Sequence, residues 1–133
     1  MTERTGLITQ ASAHDVAETA RRFRAEAEHA GFTIFAEIDH AAGAEAVGLA
    51  LRPTLLLIFG AARGGTPLMQ LDQVAGIDLP LKALVWRDAD GAVALTYNDP
   101  AWIAERHGLG RGADAPVRAM AEGLSKLAAA ATT

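Results

Sequence analysis

The stretch from residue 52 to residue 71, RPTLLLIFGAARGGTPLMQL, constrains the fold of this chain more than any other. Residues 54–59 form a continuous apolar run, which is long enough for one strand with both faces covered. Residues 60–65 then interrupt the pattern, because Gly64 and Gly65 can adopt backbone conformations that other residues avoid. Thr66 and Pro67 follow as an N-cap and first-turn pair. The sequence therefore predicts a buried strand, a glycine turn and a short helix that begins at Thr66.

This predicted turn is a candidate anion site, because a strand, a glycine turn and a helix N-terminus bring free backbone N–H groups together. In this interpretation Gly64, Gly65 and Thr66 present their N–H groups, and Arg63 adds a charged donor. The alternative is a tight corner beside a buried strand that binds nothing. The glycines at positions 60 and 65 have the spacing of a phosphate-binding P-loop, but Thr66 replaces the lysine of that motif. Nucleotide hydrolysis is therefore not expected.

Composition excludes several classes of function. The 133 residues fit a single domain, residues 1–133, that can bury a core without disulfides or metal. The formal net charge of -4 argues against nucleic acid or an anionic membrane as a partner. Cysteine is absent, which excludes disulfide scaffolds and thiolate metal sites. With no secretory signal at the N-terminus and no apolar run near the roughly 20 residues of a membrane helix, we expect a cytoplasmic protein.

The periodicity of the remaining chain predicts a mixture of helices and strands without regular β-α alternation, which favours the α+β class. Predicted strands cover residues 7–8, 32–38, 81–86 and 93–97, and a turn at residues 88–91 joins the last two as a hairpin. Alternation along residues 32–38 predicts a strand with one face inward. Predicted helices cover residues 16–30, 40–47 and 100–107, and a last helix begins at residue 114. Apolar residues at steps of three and four predict a buried stripe on the first and on the last of these helices. Ser12 with Asp15 is read as a capping box, while Asp39 and Asp99 are read as N-caps.

Several short blocks in this order resemble the bacterial family known as domain of unknown function 302. The blocks, which span roughly residues 35–108, are LRPT at 51–54, IFG at 58–60, GTPLM at 65–69, DLPLK at 78–82, VW at 85–86, YNDP at 97–100 and ERHG at 105–108. The resemblance implies an α+β domain with an antiparallel sheet and helices on one side, similar to one repeat of the TATA-binding-protein-like fold. It implies no activity and no DNA binding, since fold analogy does not carry function.

A second candidate site lies on the predicted sheet. Lys82 and Trp86 share one face of their strand, and Tyr97 lies on the neighbouring strand of the hairpin. A lysine, an indole and a phenol on one sheet face can line a ligand pocket, and Arg52 and Arg63 are predicted to supply further donors. For an anion bound at the glycine turn, apolar contacts would come from Met69 or Trp86. The alternative is that Lys82 extends past a sheet edge while Trp86 and Tyr97 only pack.

Three functions stay open from the sequence. The first is a non-enzymatic module that binds a small anionic or amphipathic ligand, without metal or cofactor. The second is an enzyme, most plausibly a hydrolase that uses His40 with Asp39 or Asp99. The third is a structural or protein-interaction domain. No catalytic residue is assigned, because no acid–base pair or metal-ligand spacing stands out in the sequence.

The chain is also predicted to form a homodimer. Half of its residues are hydrophobic, and the apolar run at residues 54–59 needs cover on both faces. One layer of helices shields one face of a sheet, which leaves the other face for a second copy.

Overall fold

The computed structural model describes residues 4–133. These residues form five strands, five α-helices and two short 3₁₀ turns. The strands are β1 (Leu7–Ser12), β2 (Thr33–Asp39), β3 (Thr54–Gly60), β4 (Leu81–Arg87) and β5 (Val93–Asn98). The helices are α1 (Val16–His29), α2 (His40–Ala46), α3 (Ala62–Leu71), α4 (Pro100–Arg106) and α5 (Asp114–Thr132). The 3₁₀ turns span Gln73–Asp78 and Arg111–Ala113.

The five strands form one antiparallel sheet in the order β1-β5-β4-β3-β2. β4 is therefore the central strand, and β1 and β2 are the edges. The connections β2 to β3 and β4 to β5 join neighbouring strands, whereas α1 links the two opposite edges. This arrangement confirms the predicted α+β class and the antiparallel sheet.

One face of the sheet, called the inner face here, holds the hydrophobic core under α1 and α5. The strand residues that are fully buried on it are Leu57, Phe59, Ala83, Val85 and Leu95. Phe23 of α1 meets Phe59 edge to face, with ring centroids 4.9 Å apart. This edge-to-face geometry is the one that aromatic pairs prefer, so α1 is fixed directly over the centre of the sheet.

α1 covers the sheet with the apolar stripe that the sequence predicts. The buried residues of this stripe include Ala20, Phe23 and Ala27. The predicted capping box is wrong, because the N-cap is Asp15, whose carboxylate accepts the backbone N–H of Glu18. The Ser12 hydroxyl lies too early to cap α1 and instead contacts the Thr19 hydroxyl at 2.6 Å. That bond ties the end of β1 to the first turn of α1.

β2 departs from the single inward face that its sequence alternation predicts. A β-bulge shifts the register between Ile34, which pairs with Phe59, and Ala36, which pairs with Ile58. Because the extra residue reverses the alternation, the second half of β2 points its apolar side chains to the opposite face of the sheet. Phe35 lies at the bulge, and its side chain is 56% exposed.

The other face, called the outer face here, has no helix over it among residues 4–133. Its strand residues include Leu56, Ile58 and Leu84, which are only half-buried. Within one copy, the apolar run at residues 54–59 is therefore covered by helices on one face only. The reason is that the helices pack together on the inner face, where α1 contacts α5 and α4 contacts α5.

The predicted caps of α2 and α4, the hairpin turn and the last helix are confirmed, whereas the first strand, predicted at residues 7–8, extends over Leu7–Ser12. The side chains of Asp39 and Asp99 cap α2 and α4, accepting the backbone N–H groups of Ala42 and Ala101. The turn between β4 and β5 contains Gly91 at a φ of 88°, a conformation that glycine adopts without strain. α5 buries Met120, Leu124 and Leu127, as its three- and four-residue spacing predicts.

Candidate functional site

The backbone at the start of α3 differs from the predicted anion site. α3 begins at Ala62, so Gly64 and Gly65 lie inside the helix and neither has a positive φ. Their N–H groups both donate to the carbonyl of Ala61, at 2.9 and 3.1 Å. The predicted cluster of free donors at Gly64, Gly65 and Thr66 is therefore wrong. The physical reason is that glycine permits a helical conformation as readily as a turn, and two alanines precede it.

Thr66 is likewise not an N-cap. It lies one turn inside α3, and Pro67 follows within the helix. The N-cap is Ala61, which has no side-chain acceptor, so no side chain caps the N-terminus of α3. The donors that remain for solvent or a ligand are consequently those of the first turn, near Arg63, and not those of the two glycines.

An apolar pocket of about 370 Å³ opens beside this first turn. Its walls come from the end of β3, the first half of α3, the segment before β4, and α5. The side chains and backbone that line it are those of Phe32, Phe35, Gly60, Ala61, Ala62, Gly64, Gly65, Thr66, Met69, Leu79, Pro80, Leu81 and Met120. Thr66 is the only one of these with a polar side chain. Four of the predicted site residues, Gly64, Gly65, Thr66 and Met69, therefore share one pocket.

The two glycines of α3 leave space on the pocket wall. A methyl group built on Gly64 would lie 3.9 Å from Met120 Cε, and one on Gly65 would lie 3.5 Å from Leu79 Cδ1. Both distances are ordinary van der Waals contacts. Alanine at either position would thus fit, and a helix interior disfavours glycine relative to alanine by roughly 0.5–1 kcal/mol. Neither backbone conformation nor packing requires glycine here.

Lys82 and Trp86 lie together on the outer face, as predicted. With Leu84 they line a shallow groove of about 770 Å³, called the outer groove here, whose other residues include Leu7, Thr9, Leu56 and Thr96. The indole N–H of Trp86 donates to the Thr96 hydroxyl at 2.9 Å, and that hydroxyl contacts the Thr9 hydroxyl at 2.8 Å. These bonds fix the orientation of the indole ring.

Tyr97 does not join Lys82 and Trp86, so the prediction of a shared face is wrong. Tyr97 pairs with Ala83, and paired residues of antiparallel strands point to the same side, which here is the inner face. Although Tyr97 borders the outer groove, it belongs to the core and is 6% exposed. Burial, with the nearby charge of Asp99, raises the pKa of the Tyr97 phenol.

The two arginines do not converge on either cavity. Arg52 precedes β3 and Arg63 follows it, so the length of a strand of seven residues, on the order of 20 Å, separates them. Both are exposed, and neither lines the apolar pocket or the outer groove. The prediction that both supply donors near Lys82 is therefore wrong.

A polar cluster that the sequence reasoning missed joins the turn before β4 to the end of α4. The Asp78 carboxylate contacts His107 Nε2 at 2.6 Å and accepts from Arg106 at 2.9 Å. The side chains of Asp78 and His107 are largely buried. From the sequence, His107 is explained by the end of a helix alone, because no local spacing connects it or Arg106 to Asp78, which lies 29 and 28 positions away. The only signal was that both segments carry the family resemblance.

The residues named for a hydrolase have other roles. The carboxylates of Asp39 and Asp99 each accept a backbone N–H as helix caps, and His40 is exposed at the start of α2. Within residues 4–133 there is no group of three or more histidine, aspartate or glutamate side chains that could hold a metal ion. Within the same residues, no helix combines the length and the apolar character needed to cross a bilayer.

Comparison with known sequences gives a family and a group of relatives. The profile of the family described as domain of unknown function DUF302 matches residues 8–127, a wider range than the blocks at 35–108. A protein of Brucella suis biovar 1 (strain 1330) named "Fluoride-specific ion channel FluC 1" is 50% identical over 118 residues, which cover 89% of this chain and 46% of that protein. A protein of the same name from Brucella abortus biovar 1 (strain 9-941) has the same identity, with 44% of its length covered. The chain thus spans about half the length of these curated relatives.

Among solved structures, the fold matches an uncharacterised conserved DUF302 protein from Bacillus stearothermophilus. The TM-score is 0.87 over 98% of this chain and 100% of that one, at 14% sequence identity. At that identity the likeness establishes the fold alone.

Proposed function

This chain belongs to the DUF302 family, and on that premise we propose that it is a non-enzymatic module that binds a small amphipathic ligand. The apolar part of the ligand occupies the apolar pocket, and an anionic group lies at its rim. The observation that carries the proposal is the pocket itself, of about 370 Å³ and lined almost wholly by apolar groups. That volume lies within the range of small-molecule sites, roughly 300–1,000 Å³.

The side chains around the pocket suit an apolar ligand of adaptable shape. Met69 of α3 and Met120 of α5 both line the pocket, and methionine adjusts its rotamers to irregular partners at little cost. Phe32 and Phe35 supply flat aromatic surface, and more than half of the Phe35 side chain is exposed. Burial of an apolar ligand would therefore also cover a side chain that the fold leaves open to water.

The two glycines of α3 support the proposal that the apolar pocket is kept open for a ligand. Alanine at positions 64 and 65 would stabilise the helix and partly fill the pocket without a clash. A sequence under selection for packing alone would gain from that exchange. The presence of two adjacent glycines on the pocket wall fits a site that has to stay open.

The rim of the pocket favours an anionic group. The N-terminus of α3 has no side-chain cap, and its first turn includes Arg63. A helix N-terminus attracts negative charge by about 0.3–1 kcal/mol at an exposed site, and a guanidinium adds a charged donor. This contribution is small, so most of the affinity is expected from the apolar pocket.

The test uses three ligands with one tail and different head groups: octanoate, octyl phosphate and octanol, each titrated by calorimetry into the full chain. We expect all three to bind, with the two anions tighter than the alcohol. The double variant Gly64→Ala/Gly65→Ala should bind all three about tenfold more weakly or worse, because its methyl groups occupy the pocket. Arg63→Ala should weaken only the two anions.

Gly43→Ala is the matched control, since Gly43 lies in α2 with no heavy atom within 4 Å of an added methyl group. It changes helix propensity in the same direction without filling a pocket, so binding should equal that of the parent. Failure of the parent to bind any of the three ligands would contradict the proposed function. So would undiminished binding by the double glycine variant.

A second candidate function is favoured by the relatives named as fluoride channels. We propose that this chain is the counterpart of a domain that works beside a fluoride channel and does not itself form the conducting path. Two curated Brucella proteins named "Fluoride-specific ion channel FluC 1" and one named "Fluoride-specific ion channel FluC 2" are each 50% identical to this chain over 118 residues. More than half of each relative lies outside the matched region and is available to form a channel.

The test of this candidate is fluoride efflux from liposomes that contain the Brucella suis relative. Deletion of its matched 118 residues should leave fluoride conduction and selectivity in place, and the deleted protein should bind this chain when the two are copurified. Loss of conduction on deletion, or no binding between the two parts, would contradict the candidate.

A further inference from the structure

We infer that the outer face of the sheet binds a second copy of this chain, across a two-fold axis that passes over Leu84. The sequence predicts a homodimer but does not indicate which surface of the chain forms it. The outer face is the surface that we infer. This inference is independent of the apolar pocket, which lies at one end of β3 and shares no residue with the outer groove.

The outer face is large enough for a dimer contact. It spans five strands of six or seven residues. With strands ~4.8 Å apart and a rise of ~3.3 Å per residue, the face measures ~500 Å² in projection, so two copies would bury ~1,000 Å². Specific interfaces begin at about this size. A face-to-face contact that used only part of the sheet would fall below it.

The polar side chains of Trp86, Thr96 and Thr9 on the face are already hydrogen-bonded within one copy. The Trp86 indole N–H donates to the Thr96 hydroxyl, which in turn contacts the Thr9 hydroxyl. A buried polar group is costly only when it lacks a hydrogen-bond partner. A second sheet can therefore cover the centre of the face without leaving these groups unpaired.

The pattern along β4 is complementary to itself. Lys82, Leu84 and Trp86 follow one another on the outer face, and Leu84 lies midway between a cation and an aromatic ring. A two-fold axis that crosses the strands at Leu84 places Lys82 of each copy over Trp86 of the other, and Leu84 over Leu84. Lys82 forms no ion pair among residues 4–133, so its ammonium group is available for the indole face.

The same two-fold axis also passes over the residues of β3 and β5 that pair with Leu84. Leu56 of β3 and Thr96 of β5 both pair with Leu84, so each would meet its own equivalent in the second copy. Lys82 is the only charged residue on the part of the face formed by β3, β4 and β5. Like charges would therefore not be forced together, whereas an axis parallel to β4 would place the two Lys82 side chains against each other.

The experiment is sedimentation equilibrium of the full chain over a range of concentrations. We expect a reversible dimer of twice 13.9 kDa. Leu84→Glu should abolish it, because two carboxylates would meet at the axis. The control Ile77→Glu changes an exposed apolar residue away from this face and should leave the dimer intact.

A charge-swap series tests the orientation of the two copies. Trp86→Lys alone places a lysine of one copy against Lys82 of the other at both ends of the contact between the two β4 strands. This variant should dimerise about tenfold more weakly or worse. The double variant Lys82→Trp/Trp86→Lys restores a lysine opposite each tryptophan and should recover most of the affinity. A nonspecific apolar contact would not recover in this way.

A parent chain that stays monomeric at every concentration would overturn the inference, as would a Leu84→Glu variant that still dimerises. Thermal unfolding of each variant verifies that it is folded. A face that binds vesicles of anionic lipid, with no dimer formed, would also overturn it.

Discussion

The two faces of the sheet carry similar side chains but have different neighbours. On β3, Leu57 of the inner face is completely buried under the helix layer, while Leu56 of the outer face is only half-buried by adjacent strands. Both are leucines in one apolar run, and their positions differ by one residue. The apolar character of a strand therefore indicates how much of each face has to be buried. It does not report whether the cover comes from the same chain.

The largest effect separates these two leucines. Leu57→Ala should lower the free energy of unfolding by about 2–5 kcal/mol, since it leaves a cavity beneath α1. Leu56→Ala should cost about 1 kcal/mol or less when the chain is dilute, because its side chain already meets water. Urea denaturation of both variants at low protein concentration measures the difference. Equal costs would show that the outer face is covered within one copy, and would break the comparison.

The next effect concerns how the helix layer is held over the inner face. Asp78 links the turn before β4 to α4 through Arg106 and His107. Asp78→Asn removes the charge that both partners contact, and we expect a loss of about 1–2 kcal/mol, because Arg106 is half exposed and its contribution is screened.

Asp90→Asn is the control for Asp78→Asn. The Asp90 carboxylate lies exposed in the hairpin turn and makes no hydrogen bond or ion pair among residues 4–133, so its loss should change stability by less than about 0.5 kcal/mol. Chemical denaturation of the two variants at one pH distinguishes them. A cost for Asp78→Asn no greater than that for Asp90→Asn would mean that this cluster does not hold the helix layer.

The smallest effect tests the assignment of Tyr97 to the inner face. Burial and the nearby Asp99 raise the pKa of its phenol above the ordinary value of 10.0. The neutral phenol therefore contributes stability that is present below about pH 10 and is lost as pH rises through the folded pKa. The parent should lose melting temperature above pH 10 more steeply than Tyr97→Phe.

Because Tyr97 is the only tyrosine, the absorbance of tyrosinate titrates this residue alone. A titration midpoint at the ordinary value, with parallel melting curves for the parent and Tyr97→Phe, would place the phenol in water. Tyr97 would then no longer count among the buried residues of the inner face.

Much of the fold could be predicted from local pattern. The stripe of α1, the hairpin at Gly91 and the caps at Asp39 and Asp99 each depend on residues close in sequence, and the structure confirms them. The bulge at Phe35 could not be predicted, because alternation continues through it unchanged while the pairing with β3 shifts.

The candidate site was harder to predict, for a physical reason. Adjacent glycines permit either a turn or a helix, and only the neighbouring Ala61 and Ala62 and the tertiary packing decide between them. Similarly, the face of Tyr97 depends on its register with Ala83, and the contact between Asp78 and His107 on the path of the chain between them. None of these is encoded by spacing along the sequence.

In the dimer that we infer, the outer face is open in one copy and closed by the second. The fluorescence of Trp86, recorded in a Trp102→Phe background so that it is the only tryptophan, tests this claim directly. On dilution, we expect the emission to shift to longer wavelength as the indole becomes exposed to water, in step with dissociation of the dimer. An emission maximum that stays constant across all concentrations would contradict it.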